Sequence, residues 1–215
     1  MNQTQFSATF FSKVPIIGII RNIAANDVAA ILPVYAEAGL TTIEITMNTA
    51  GAEDMICYAL QHYAGKLNIG AGTVCTEDEL DRAIAAGAQF IVTPVVNEKI
   101  IKKCVSLAIP IFPGAFTPTE IYNAWELGAT MVKVFPGSLL GPVYIKEVKA
   151  PLNQIKLIPT GGITLDNILS FKNAGADGYG MGSHLFNSTM IKQQDWAGLK
   201  AHFMEFVKLA DPAND

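Results

Sequence analysis

A lysine stands in the middle of an apolar run, Val132-Lys133-Val134-Phe135-Pro136-Gly137, that is short and branched enough to form a buried strand. An unpaired ammonium costs several kcal/mol to bury even after relaxation. Lys133 must therefore face water along an axis, meet a partner, or give up its proton. Desolvation lowers a lysine pKa, and a neutral amine is the nucleophile that forms Schiff bases with ketones. A carboxylate sits in a matching run, Thr42-Ile43-Glu44-Ile45-Thr46. Side chains alternate faces along a strand, so Glu44 parts from Ile43 and Ile45 as Lys133 parts from Val132 and Val134. If the branched residues face covering helices, Glu44 and Lys133 both point inward, as an acid/base and nucleophile pair. A lysine snorkelling at a sheet edge, or a structural ion pair of Glu44 with Lys133 or Arg21, would leave the same pattern without chemistry.

Two glycine-rich turns come later, Pro159-Thr160-Gly161-Gly162 and Gly180-Met181-Gly182-Ser183. Such turns let backbone N–H groups approach an anion closely. Each alone is also an ordinary turn. Together, after the last two strands of an α/β chain, they favour a phosphorylated ligand.

The elements that must position these residues are punctuated by glycine. Ala38-Gly39-Leu40, Ala86-Gly87-Ala88, Leu127-Gly128-Ala129 and Ala174-Gly175-Ala176 each place a helix-ending glycine before an apolar run. Glycine past a helix end supplies the left-handed conformation there, so these sites form a weak internal repeat of strand-helix units. The pattern predicts strands near 16–20, 42–46, 68–72, 90–93, 109–113, 131–135, 156–160 and 178–181. Helices are expected over 27–38, 52–64, 77–86, 97–107, 118–127, 142–150 and 165–174, with a last one over 194–209. Thr76-Glu77-Asp78-Glu79 is a capping box, and Pro118 and Pro142 suit the first helical turn. Eight alternations imply a closed (β/α)8 TIM barrel. An extra N-terminal helix over 4–13 is expected to close its bottom, and the whole of 1–215 is expected to be one domain. The C-terminal strand ends, where barrels carry their chemistry, hold Arg21, Glu44 with Thr46 and Asn48, Thr73, Thr93, Lys133 with Phe135, Thr160, Gly161, Gly162, Gly182 and Ser183.

Composition narrows the function classes. The chain has 215 residues, is 50% hydrophobic and carries a formal net charge of −4 without clustered Lys or Arg. That gives no electrostatic footprint for nucleic acid or an anionic membrane. Apolar runs are strand-length and far short of the roughly 20 residues of a spanning helix. The first residues lack the basic and apolar regions of a signal peptide, so a cytoplasmic location is expected. Cys57, Cys75 and Cys104, like His62, His184 and His202, are scattered, which gives no support to a disulfide framework or a metal site.

Taken in order, Ile43-Glu44-Ile45-Thr46, Gly70-Ala71-Gly72-Thr73-Val74, Ile91-Val92-Thr93-Pro94, Pro113-Gly114, Val132 to Pro136, Pro159 to Ile163 and Gly182-Ser183 resemble a known family over nearly the whole chain. It is the 2-keto-3-deoxy-6-phosphogluconate (KDPG) and 4-hydroxy-2-oxoglutarate (KHG) aldolases, with the related phosphogalactonate aldolases. The resemblance implies a class I, metal-independent and cofactor-free aldolase of carbohydrate metabolism of the Entner-Doudoroff type, usually a homotrimer, acting on a small 2-keto acid. It makes Lys133 the Schiff-base lysine and Glu44 the proton shuttle. Arg21, Thr73 and the backbone near Pro94 are implied around the pyruvate carboxylate, Phe135 against the substrate chain, and Gly161, Gly162, Gly182 and Ser183 on the phosphate. Asn48 resembles the galactonate branch, whereas Thr160 resembles the gluconate branch, so the preference at C4 stays open. Two rival readings are a phosphate-binding barrel enzyme of the epimerase or thiamine-phosphate-synthase type and a non-catalytic phosphosugar-binding protein.

Overall fold

Strand and helix alternate through residues 5–211, which are those described by the computed structural model of this chain. The order is α1 (Ala8–Lys13), β1 (Ile16–Ile20), α2 (Ala25–Glu37), β2 (Thr42–Thr46), α3 (Ala52–Tyr63), β3 (Asn68–Gly72) and α4 (Glu77–Ala85). Then come β4 (Ile91–Val92), α5 (Glu98–Ser106), β5 (Ile111–Phe112), β6 (Gly114–Ala115), α6 (Pro118–Glu126), β7 (Val132–Val134) and α7 (Gly137–Lys149). The chain ends with β8 (Leu157–Pro159), α8 (Ile168–Asn173), β9 (Tyr179–Met181), α9 (Ser188–Lys192) and α10 (Trp196–Ala210). Local chemistry sets several of the helix starts. Thr76 with Glu79 and Thr117 with Glu120 form complete capping boxes at α4 and α6, and Asn97 and Asn187 accept from the first turns of α5 and α9. Each cap satisfies backbone donors that a helix start leaves unpaired.

All strand pairs are parallel, in a six-stranded sheet β5-β4-β3-β2-β1-β9 and a three-stranded sheet β6-β7-β8. The chain itself joins the two at Pro113, and a parallel bridge between Thr160 and Gly180 joins their other edges. This parallel sheet curls around an interior layer of side chains. Ile43, Ile45, Val132 and Val134 pack outward into the large core beneath the helices, while Ile17, Phe90, Val92, Phe112 and Ile158 form a separate inner cluster.

The interior is crowded enough that two strands supply glycine where a neighbour supplies bulk. A Cβ on Gly70 would overlap the Phe90 ring and one on Gly72 the Glu44 carboxylate. Gly178 and Gly180 leave the same room for Phe11 and Thr160.

The structure revises four expectations. The strand expected over 109–113 is split into β5 and β6, because Pro113 has no N–H to donate to the ladder, although its carbonyl accepts from the Lys133 N–H at 2.9 Å. The helix expected from Pro142 is preceded by a helical turn from Gly137, from which a kink at Gly141 (φ 71°) separates it. Helix α9 was not anticipated, since five residues carry too little periodicity. The N-terminal helix is shorter than 4–13: Ser7 caps it and Ala8 starts it, and Thr4 lies outside the described residues.

Tyr35 ties α2 to the sheet. Its buried hydroxyl donates to the Thr42 carbonyl at 2.6 Å and accepts from the Gly18 N–H at 3.2 Å. Tyr35→Phe leaves both backbone groups unpaired in the core and is expected to cost about 1–3 kcal/mol. The measurement is the urea midpoint, which falls at unchanged m value; an unaltered midpoint would contradict the tie.

Candidate active site

Glu44 is the central residue of β2, paired in register with Ile19 of β1 and Gly70 of β3. It is 1% exposed, and neither carboxylate oxygen has a hydrogen-bond partner among the described residues. A buried carboxylate without donors is costly in its charged form. Burial accordingly raises its pKa from 4.5 to about 7, against the opposing pull of Lys133 and Arg21.

Lys133 is the central residue of β7, between Gly114 of β6 and Ile158 of β8. Gly114 has no side chain because the carbonyls of Thr93 and Pro94 pass where its Cβ would be. Lys133 is 4% exposed. Burial is the main cause that holds its pKa below the ordinary lysine value; Glu44 opposes the shift, Arg21 adds to it and Cys75 opposes it. Its Nζ lies 5.1 Å from the centre of the Phe135 ring, within cation–π range when charged. Burial thus moves acid and amine toward their neutral forms from opposite directions.

Two spaces meet at Lys133. One is a cavity of about 550 Å3 that opens to solvent, lined by Arg21, Lys133, Phe135, Thr160, Gly161, Gly162, Gly182 and Ser183 among others. The other is a chamber of about 10 Å3 inside the curled sheet, walled by Glu44, Val92, Phe112, Lys133, Ile158 and Thr160 among others. It is about the size of one water probe. Lys133 and Thr160 line both, so the amine stands between the carboxylate and the open cavity.

Most of the residues singled out from the sequence gather here. Asn48, Thr73 and Pro94 line neither space: Asn48 is exposed in the turn after β2, and Thr73 and Pro94 are half-buried beyond β3 and β4. Thr73 holds φ 55°, a conformation that costs a non-glycine residue on the order of 1–3 kcal/mol and gathers at functional sites. Gly161 and Gly162 have φ 89° and 74°, so the first of the two glycine turns needs glycine for its backbone as well as for access. The sequence reading missed Asn22, Asp27, His184, Ser188 and Lys192, which also line the cavity. Asn22 and Asp27 follow the end of β1, and Ser188 and Lys192 ride on α9; only the position of His184 after Ser183 was a usable signal.

Among the described residues no three His, Cys, Asp or Glu side chains cluster, and no helix is long and apolar enough to cross a membrane. A desolvated amine beside a desolvated carboxylate, at the inner end of a cavity with glycine turns at its rim, has the parts for addition to a carbonyl and for proton transfer.

The chain is similar to known proteins over most of its length. A model of the KDPG and KHG aldolase family matches residues 8–202. The chain is 36% identical over 178 residues to the 2-dehydro-3-deoxy-6-phosphogalactonate aldolase of Escherichia coli (strain K12), covering 82% of this chain and 87% of that protein. It is also 36% identical over 188 residues to the 2-dehydro-3-deoxy-phosphogluconate aldolase of Haemophilus influenzae, covering 86% and 87%. A solved structure described as native KDPGal superposes with a TM-score of 0.86 at 33% identity, over 95% of this chain and 96% of that one.

The raised Glu44 pKa makes stability depend on pH. Between about pH 4.5 and 7 the folded chain keeps a proton at Glu44 that the unfolded chain releases. Stability therefore falls as pH rises through that window and levels off above it. Glu44→Gln is expected to remove this component, so that the variant gains on the wild type between pH 5 and pH 8 in urea unfolding. A stability difference equal at both pH values would overturn the assignment.

Proposed function

The chain belongs to the KDPG and KHG aldolase family and is a carbon–carbon lyase; from that premise we propose that it is a metal-independent class I aldolase that works through an imine at Lys133. Its substrate in this reading is 2-keto-3-deoxy-6-phosphogluconate, cleaved to pyruvate and glyceraldehyde 3-phosphate, with 4-hydroxy-2-oxoglutarate as a further substrate. We read the two sheets, joined at Pro113 and at the Thr160–Gly180 bridge, as one closed eight-stranded barrel in a single domain, with α1 as the extra N-terminal helix.

One observation carries the mechanism: Lys133 is buried, held below its ordinary pKa, and stands between the Glu44 chamber and the open cavity. Its neutral amine adds to the C2 ketone to give a carbinolamine. Loss of water, with Glu44 giving the proton, leaves a protonated imine. Glu44, through a water, then takes the C4 hydroxyl proton. The C3–C4 bond breaks, its electrons pass into the imine, and the aldehyde leaves a pyruvate enamine. Protonation at C3 and hydrolysis release pyruvate and restore the amine. Arg21, which lines the open cavity, supplies positive charge for the substrate carboxylate. Phe135 packs on the substrate chain, and Gly161, Gly162, Gly182 and Ser183 take the phosphate.

A second reading, cleavage of the C4 epimer 2-keto-3-deoxy-6-phosphogalactonate, is favoured by the Escherichia coli relative and the native KDPGal structure. Thr160 is the residue placed to decide, since it is 4% exposed and lines both spaces, whereas Asn48 lines neither. Leu139 and Val143, 71% and 72% exposed on α7, support self-association in a homotrimer, and we place the enzyme in the cytoplasm.

Borohydride reduction in the presence of pyruvate is expected to add mass at Lys133 by peptide mapping, and Lys133→Met to abolish the adduct. Glu44→Gln should still trap some pyruvate but cleave about 10²–10⁴-fold more slowly. An adduct elsewhere, or normal turnover of Glu44→Gln, sinks the mechanism. For substrate choice, kcat/KM on the two phosphorylated epimers is expected to favour the gluconate, and Thr160→Val to narrow the ratio. Equal efficiency on both epimers and on 4-hydroxy-2-oxoglutarate would remove Thr160 from that role.

A further inference from the structure

Beneath the Glu44–Lys133 chamber lies the inner apolar cluster, and two of its rings come from outside the strands. Phe6 and Phe11 belong to the N-terminal segment. Phe6 meets Phe90 and Phe112 edge-on, with ring centres at 5.5 and 5.9 Å, and Phe11 stacks on Phe112 at 6.4 Å. Polar clamps fix the segment. Buried Asn68 accepts from the Ser7 N–H through Oδ1 at 2.7 Å and donates from Nδ2 to the Ser7 carbonyl at 3.0 Å. The Thr41 hydroxyl donates to the Phe10 carbonyl at 2.7 Å. Gly178 vacates the space that the Phe11 ring fills.

Val92, Phe112 and Ile158 belong to this cluster and also wall the chamber that holds Glu44 and Lys133. Phe112 lines the chamber while its ring also packs against Phe6 and Phe11, which do not line it. We propose that Phe11, backed by Phe6, is a positioning residue for the reaction: it floors the chamber, seats Phe112, and keeps water from reaching Glu44 and Lys133 through the end of the curled sheet opposite the open cavity.

The physical reason is that burial is the largest cause of the displaced proton affinity at both groups. Water admitted from below raises the effective dielectric constant around them. The charged and titratable groups acting on Glu44 are Lys133 and Arg21, and those acting on Lys133 are Glu44, Arg21 and Cys75. A change at Phe11 alters none of them, so a shift that follows it reports hydration. Hydration would move Lys133 up toward an ordinary lysine and Glu44 down toward an ordinary carboxylate.

The inference rests on the imine mechanism proposed above, and the test separates the two. Lys133 is titrated by reductive methylation across pH with peptide mapping, which needs no pyruvate, and retro-aldol kcat and KM are measured alongside. In Phe11→Ala the Lys133 titration is expected to move up by about one pH unit. At a fixed pH that leaves up to about tenfold less neutral amine, so kcat falls by up to about tenfold while KM stays within about twofold, because the cavity contacts are untouched. Phe11→Leu restores most of both. Phe6→Ala, at a half-buried site that a stable fold tolerates, shifts the titration in the same direction by less. A Lys133 titration left in place by both alanine variants overturns the floor role, even if their melting temperatures fall; should Phe11→Ala fail to fold, Phe6→Ala alone decides. A wild type whose Lys133 forms no pyruvate adduct defeats the imine mechanism, and the methylation arm still judges the floor.

Discussion

An amine and a carboxylate share one buried interior, and the rest of the structure accommodates that fact. Charging either group there carries a desolvation penalty that mutual attraction only partly offsets, and both shift toward neutrality. A neutral lysine and a carboxyl group that exchanges its proton near pH 7 are what carbonyl addition with proton relay requires. The arrangement depends on tight walls, because hydration would return both groups to their ordinary behaviour. It also has one open side, where the larger cavity reaches Lys133.

The two faces of each strand divide the work. Outward residues such as Ile43, Ile45, Val132 and Val134 build the large core with the helices. Inward residues occupy a narrower space, where one side chain decides what its neighbour can be. Gly72 lies opposite the Glu44 carboxylate, Gly70 opposite Phe90, Gly178 opposite Phe11 and Gly180 opposite Thr160. These four glycines therefore help to shape the interior around Glu44 and Thr160. Substitution there would displace the carboxylate, the floor or the Thr160 hydroxyl.

At the mouth the demands change from exclusion to access. Gly161 and Gly162 turn with positive φ beside Phe135 and Ser138. The first turn of α7 follows closely, with the Gly137 N–H donating to the Thr160 carbonyl at 2.7 Å. Helix α9 brings Ser188 and Lys192 to the rim of the same cavity. The mouth is thus assembled from segments far apart in the chain, and Ile163, Phe186 and Ile191 of its lining also pack into the large core.

The sequence by itself determined the alternation of strand and helix, the glycine punctuation and the inward phase of Glu44 and Lys133. Each of these follows from a local rule: helix capping, left-handed backbone, or the two-residue period of a strand. The paired glycine turns were legible for the same reason. Tertiary structure decided what depends on residues meeting across the fold. It set which inward glycines pair with which bulky side chains, placed Thr160 at both spaces and Asn48 at neither, and brought Phe6 and Phe11 beneath the chamber. It also split the fifth strand at Pro113 and added α9, whose five residues are too few for a period to show. A charge between two valines could be read as a cost from the chain alone; only the walls around it show that the Glu44 chamber and the open cavity stand on its two sides.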